Sequence, residues 1–315
     1  MLLNNVTAND NGVNHNANTG WGVYAVNCFY DSGTGVCSGA SLPKGVTLSG
    51  VNNFHNNYQD GLFIRSLGAV LLNKTEASNN RLNGAYIENG WGVRHANVTI
   101  SGYGTFNGNG ERGLVVYTNG TVVTANLDAS GNAGRGAEIV AVDFNLPPAG
   151  SAANVTLSGS NVFWGNGGDG LYIVNDGFIT LNNVTANNNG GRGAYLDNRS
   201  TGWWTPLPAV RLNLTGVNNF NGNGGNGLEF QAYGNVAMAK VTADNNGANG
   251  VLGDTTFGNI TLSCGSMNGN RGGSGYNLSA AGVLTLSGVN GYSNRDPNIA
   301  IGGTRVVVNR LCPLP

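Results

Sequence analysis

Few residues in this 315-residue chain have types and spacings that could do chemistry. A glycoside-cleaving pair needs two carboxyl groups about 5–9.5 Å apart. Glu138 and Glu229 occupy equivalent strand positions three repeats apart, ~14 Å at the ~4.8 Å spacing of paired strands. Glu88 and Glu138 stand two repeats apart with a lateral step, which is also too far. His15, His55 and His95 fall in separate turns or loops without metal-ligand spacing, so neither a metal site nor a cofactor is expected. Asp143, Asp197 and Arg199 lie in loops that could bring them together. Arg112, Arg135, Asp169 and Arg192 share one repeat position, the last three on consecutive repeats, and read as a solvated ion ladder worth little energy.

Aromatic residues form the other candidate surface. Tyr24, Phe63, Tyr86, Tyr172 and Tyr195 recur at one outward strand position, and Trp91, Trp203 and Trp204 lie in loops. Such a row either covers the pleat of a sheet or stacks on sugars or protein partners. The four cysteines suggest two bridges, Cys28 with Cys37 inside one loop and Cys264 with Cys312 across the C-terminal tail. Paired cysteines point to an extracellular setting.

A repeat must position these residues. Val46–Ala69 is its clearest copy: a short β-type run, a polar turn centred on Asn57, then a second run from Gly61. Repeat starts read at Met1, Val46, Val70, Val98, Val122, Val155, Ile179, Val210, Val236, Ile260 and Leu284, which makes eleven coils. One Asn keeps its place in every coil: Asn11, Asn57, Asn80, Asn109, Asn132, Asn166, Asn189, Asn223, Asn246, Asn270 and Asn294. Four residues later comes Gly in most coils, then an alternating strand. Even coils place Phe54, Phe106, Phe163, Phe220 and Met267 three residues before the Asn, and odd coils place Ala there. Large beside small fills a column without overpacking.

Fixed-period self-similarity marks a solenoid. Period-two alternation and the abundance of turn residues (53 Gly and about as many Asn) exclude helix. The expected fold is all-β, a right-handed parallel β-helix forming one domain over residues 1–315, on the order of 50 Å long. Insertions fall in odd coils at residues 25–45, 88–97, 140–154 and 197–209, with a tail after Ile301. Charged residues are 10% of the chain and the net charge is −1, which offers no basic field for nucleic acid. No apolar run is long enough to insert into a membrane.

The N-x3-G turn followed by G-[LA]-x-[ILV] resembles the repeat of the pectate-lyase-like parallel β-helix superfamily. The resemblance covers essentially the whole chain and implies an asparagine ladder in the turn. That fold hosts lyases, hydrolases, adhesins and structural proteins, so it implies no single activity. Enzymes of the group use clustered Asp for calcium and an Arg base, and this sequence shows no such cluster. The reading is an extracellular structural or adhesive protein that stacks head to tail, because Met1–Val6 is already a full rung without a cap. The alternative is a carbohydrate-binding or carbohydrate-cleaving β-helix, with a surface polysaccharide as partner.

Overall fold

The computed structural model describes residues 1–12, 20–31, 36–38, 44–90, 95–142, 153–199, 210–296, 299–309 and 312. At Phe29–Asp31, Val36–Ser38 and residues 299, 300, 303, 304 and 309 it describes the backbone alone. Among the described residues there is no helix, and the strands outside one short hairpin join a single, wholly parallel sheet system. Strands of the interior coils pair with their counterparts one coil before and one coil after. The first column runs Val46, Val70, Val98, Val122, Val155, Ile179, Leu212, Val236, Ile260 and Leu284, each paired with the next. The second runs Val23, Leu62, Ala85, Leu114, Ala137, Leu171, Ala194, Leu228, Val251 and Tyr276. A third column of two-residue pieces, such as Leu127–Asp128 and Val184–Thr185, completes the triangular winding.

Alternation sends one face of every strand inward, and the inward residues form one continuous core along the rod. Phe54, Phe106, Phe163, Phe220 and Met267 are fully buried, as are Ala77, Ala129, Ala186 and Ala243 in the intervening coils. Leu62, Leu114, Leu171 and Leu228 alternate in the same phase with Ala85, Ala137 and Ala194. Large coils and small coils therefore interleave. At one place the phase is local: Gly253 stands beside the ring of Phe230, where any Cβ would overlap it.

The coils are locked at the turn that follows the third column. The backbone N–H and the side-chain Nδ2 of each ladder asparagine both donate to Oδ1 of its counterpart in the next coil. These bonds run unbroken from Asn11 to Asn294 at 2.8–3.1 Å. In most coils Nδ2 also donates backwards, to a main-chain carbonyl of the preceding coil, as from Asn109 to Ala77 and from Asn166 to Ala129. The glycine four residues on is explained by the same packing. A Cβ on Gly113 would sit 2.5 Å from the Phe106 carbonyl and 2.7 Å from Nδ2 of Asn132.

Two details differ from the sequence reading. The eighth rung enters the first column at Leu212, not Val210. Both side chains face the core, so alternation cannot detect a slip of two residues. The tail after Ile301 is not an insertion. Ile299–Asn309 is one strand that pairs with Tyr276–Ser287 through both columns, adding a further rung in the first column. Cys264 and Cys312 are disulfide-bonded with Cα atoms 5.1 Å apart, which ties that rung to the coil carrying Cys264. Cys28 is also disulfide-bonded. Tyr30 and Cys37 face each other across the short antiparallel hairpin, and the Cys37 side chain lies outside the described residues.

Phe106 fills a column whose neighbours are alanines. Phe106→Ala should leave a cavity and lower unfolding free energy by about 3–5 kcal/mol in a denaturant titration. A change near zero would contradict the buried placement.

Candidate functional site

The outward side of the second column carries nearly all the candidate residues. Two rows run along it. The first reads Tyr24, Phe63, Tyr86, Val115, Glu138, Tyr172, Tyr195 and Glu229. The second reads Arg65, Glu88, Tyr117, Val140, Val174, Asp197, Gln231 and Asp254. Trp91, Trp203, Trp204 and Asp143 lie outside the described residues.

The aromatic residues are stacked on one another. Tyr24 and Phe63 have ring centroids 4.9 Å apart and planes 10° from parallel, and Phe63 and Tyr86 follow at 5.3 Å and 4°. Tyr172 and Tyr195 stack at 5.1 Å and 18°. The guanidinium of Arg135 lies over the Tyr172 ring at 4.0 Å, and that of Arg192 over Tyr195 at 4.2 Å. In-register pairing imposes this arrangement, since equivalent side chains one rung apart fall at ring-stacking distance.

The charged residues form one chain of contacts. Arg112 and Arg135 both pair with Oε2 of Glu138, at 3.3 and 2.6 Å, and the Tyr117 hydroxyl donates to its Oε1 at 2.5 Å. Arg135 and Arg192 both reach Oδ2 of Asp169, at 3.4 and 3.0 Å, and Arg192 continues to Glu229 at 3.2 Å. Arg65 holds Glu88 at 2.6 Å. This corrects the solvated ladder: Glu138 is 5% and Asp169 8% exposed, and the network takes in two outward strand positions beside the turn position. Tyr117 comes from a neighbouring strand two residues beyond the row and lies against Glu138, which sequence position alone does not reveal.

Burial by itself would raise the carboxyls of Glu138 and Asp169. Hydrogen bonds from Tyr117 and Arg135 to the first, and from Arg192 to the second, outweigh it. With the nearby arginine charges, they hold both below the ordinary carboxylate range. Burial pushes Tyr86 up to about 12, with Glu88 adding to it, and Tyr195 up to about 12, with Asp197 adding to it. Of the three loop residues, the structure brings Asp197 and Arg199 together at 2.9 Å, and Arg199 also donates to Gln231. Asp254, two rungs from Asp197 in the same row, was not singled out in the sequence. Burial raises its carboxyl above the ordinary range, and Asp197 adds to the shift while Arg199 opposes it. Its register position was the signal that could have found it. No group of three or more His, Cys, Asp or Glu among the described residues could hold a metal ion.

A second ladder, missed in the sequence, lies one residue before the turn glycine. Asn83 donates its N–H and Nδ2 to Asp60, and Arg112 donates its N–H to Asn83. The same pattern returns from Asn226 through Asn249 to Ser274. Burial raises the Asp60 carboxyl above its ordinary range, against the hydrogen bonds from Asn83.

With stacked parallel coils and an inward asparagine ladder in place, comparison with known families is decisive. Residues 36–204, more than half of the chain, match the family described as right handed beta helix region. The chain belongs to that family. The right-handed β-helix continues past both ends of the matched segment, because the same coil-to-coil pairing extends to Leu2–Asn4 and to Ile299–Asn309. Among solved structures, the mannuronan C-5 epimerase AlgE6 A-module of Azotobacter vinelandii is similar at 14% identity. The similarity covers 93% of this chain and 88% of that one with a TM-score of 0.39, and at that level it carries no activity over. No curated protein matches the chain.

The lowered carboxyls set an acid dependence. Their contribution to stability is fully present above the ordinary carboxylate range and is lost as pH falls through their folded values. Glu138→Gln should therefore flatten part of the acid limb of a plot of unfolding free energy against pH. An unchanged limb would show that Glu138 is not held ionised by its neighbours.

Proposed function

We propose that the chain is an extracellular structural or adhesive β-helix protein whose rods add end to end, and that its outward rows serve the rod rather than catalysis. The observation that supports this most is how the rows are occupied. The carboxylates of Glu88, Glu138, Asp169 and Glu229 are each held by arginine, and the stacked rings have rings or guanidinium groups against their faces. Glu138 and Asp169, held ionised by their neighbours, are poor proton donors, and a ring face already covered is a poor platform for a sugar. The disulfides favour an oxidising compartment. No helix among the described residues is long and apolar enough to cross a membrane.

End-to-end addition, as proposed, would pair the outermost described strands of successive rods. Leu2–Asn4 pairs with Val46–Ser49 alone among the described strands, and Ile299–Asn309 with Tyr276–Ser287 alone. Leu2 is 72% and Val308 62% exposed at these two edges. An unpaired edge templates another strand, and heterologous contacts that do not close make filaments.

A carbohydrate-cleaving reading draws on Asp254. Its raised carboxyl could donate a proton, with Asp197 as the second group. At two rungs their separation is roughly 10 Å, at the outer limit for an inverting pair. Both oxygens of Asp197 are engaged by Arg199. The test is incubation of the purified protein with neutral and acidic polysaccharides, with and without calcium, alongside light scattering and electron microscopy across protein concentration. No cleavage and concentration-dependent rods are expected. Cleavage that is lost in Asp254→Asn would establish the enzymatic reading, and a monomer persisting at high concentration would remove end-to-end addition.

A further inference from the structure

The ladder asparagines are followed by glycine in many coils: Asn109-Gly110, Asn166-Gly167, Asn189-Gly190, Asn223-Gly224 and Asn246-Gly247. Asn-Gly is the dipeptide best able to deamidate, because glycine puts no side chain in the way of ring closure. The glycine nitrogen, on losing its proton, attacks Cγ of the asparagine. A C–N bond forms, the Cγ–Nδ2 bond breaks, and ammonia leaves. Water then opens the cyclic imide at either carbonyl, giving aspartate or isoaspartate. Attack therefore needs a free glycine N–H and a side-chain amide free to rotate.

In the ladder both are held. The glycine N–H donates to the ladder carbonyl of the preceding coil: Gly110 to Asn80, Gly167 to Asn132, Gly190 to Asn166, Gly224 to Asn189 and Gly247 to Asn223, at 2.7–2.8 Å. The amide is fixed on the other side by the Nδ2 and Oδ1 bonds of the ladder. Pairs outside the ladder are held in similar ways, as at Gly108, Gly222 and Gly269, whose N–H groups donate to Ser130, Asp244 and Tyr292. One pair differs. Asn290 has an exposed side chain in the rung after Ser266, and its own backbone is fixed to Gly265 and Met267. Among the described residues its side chain has no hydrogen-bond partner, and the Gly291 N–H has no acceptor.

We propose that Asn290 is the site at which the native rod undergoes spontaneous deamidation. The ladder asparagines are shielded for as long as the coils stay stacked. Unfolding then becomes chemically one-way. Each ladder amide that turns into a carboxylate loses both Nδ2 donors, so the ladder cannot re-form at that coil. Deamidation at the ladder is limited by local opening, so its rate in the native protein reports the population of open coils.

The test uses the full chain in a mildly alkaline buffer, once native and once held unfolded in denaturant, followed over time by peptide mapping for the mass gain of deamidation. In the native sample the gain is expected at Asn290 and is suppressed in Gly291→Ala. In the unfolded sample it is expected at Asn109, Asn166, Asn189, Asn223 and Asn246 as well. The refoldable fraction should fall in step with those five. Ladder asparagines deamidating at equal rates in both samples would overturn the shielding. A native sample without modification at Asn290, under conditions that modify it when unfolded, would overturn the site.

Discussion

The hydrogen bond from one ladder asparagine to the next is the interaction on which the rod depends. An asparagine side chain has two donors and an acceptor oxygen with two lone pairs. In each interior coil the oxygen receives both bonds from the coil before, as Asn166 does from Asn132, and in most coils the amide nitrogen serves the coil on either side, as that of Asn166 does. Few residues could replace it: a carboxylate has no donors, and glutamine is longer by a methylene. The chain thus solves at one position the problem every solenoid faces, the satisfaction of buried turn backbone away from water. The phenylalanine–alanine alternation and the turn glycine then follow as packing consequences of holding each coil at strand-pair distance from the next.

Much of this was legible because a solenoid repeats its instructions. The asparagine register, the alternation of Phe106 with Ala129 and the alternation of Leu114 with Ala137 are each readable as columns in the sequence. What escaped notice involves two positions that share a parity or two columns that meet. Val210 and Leu212 both face inward, so no pattern could choose between them. The join between the Arg135 turn position and the Glu138 strand position arises because three residues along a rung bring a guanidinium back over its own strand. Asp60 and Asn83 form a second ladder whose members differ in type, so no single residue recurs to announce it.

The outward rows show how repetition shapes electrostatics. Like charges in register would repel at every rung. This chain alternates them over Arg135, Asp169 and Arg192 on consecutive coils, and where Arg112 and Arg135 follow one another both turn to Glu138, so that Glu138 and Asp169 each lie between two arginines. Ionised groups in such positions are strongly interdependent, because removing one partner leaves the other half-buried and uncompensated. Rings in register do the opposite and gain from likeness. The same register that makes the rod stable therefore leaves these side chains occupied by their neighbours, and this separates them from a row of open binding groups.

The central claim is that the inward asparagine ladder, rather than asparagine content in general, holds the coils together. It is tested most directly by comparing Asn166→Asp with Asn290→Asp in one denaturant titration. The two substitutions exchange the same atoms. At Asn166 the new carboxylate oxygen would face the Ala129 carbonyl and Oδ1 of Asn189 in a buried site, whereas at Asn290 it would face solvent. The account predicts a loss of about 3 kcal/mol or more for Asn166→Asp and a change within about 0.5 kcal/mol for Asn290→Asp. Equal effects at the two positions would contradict it.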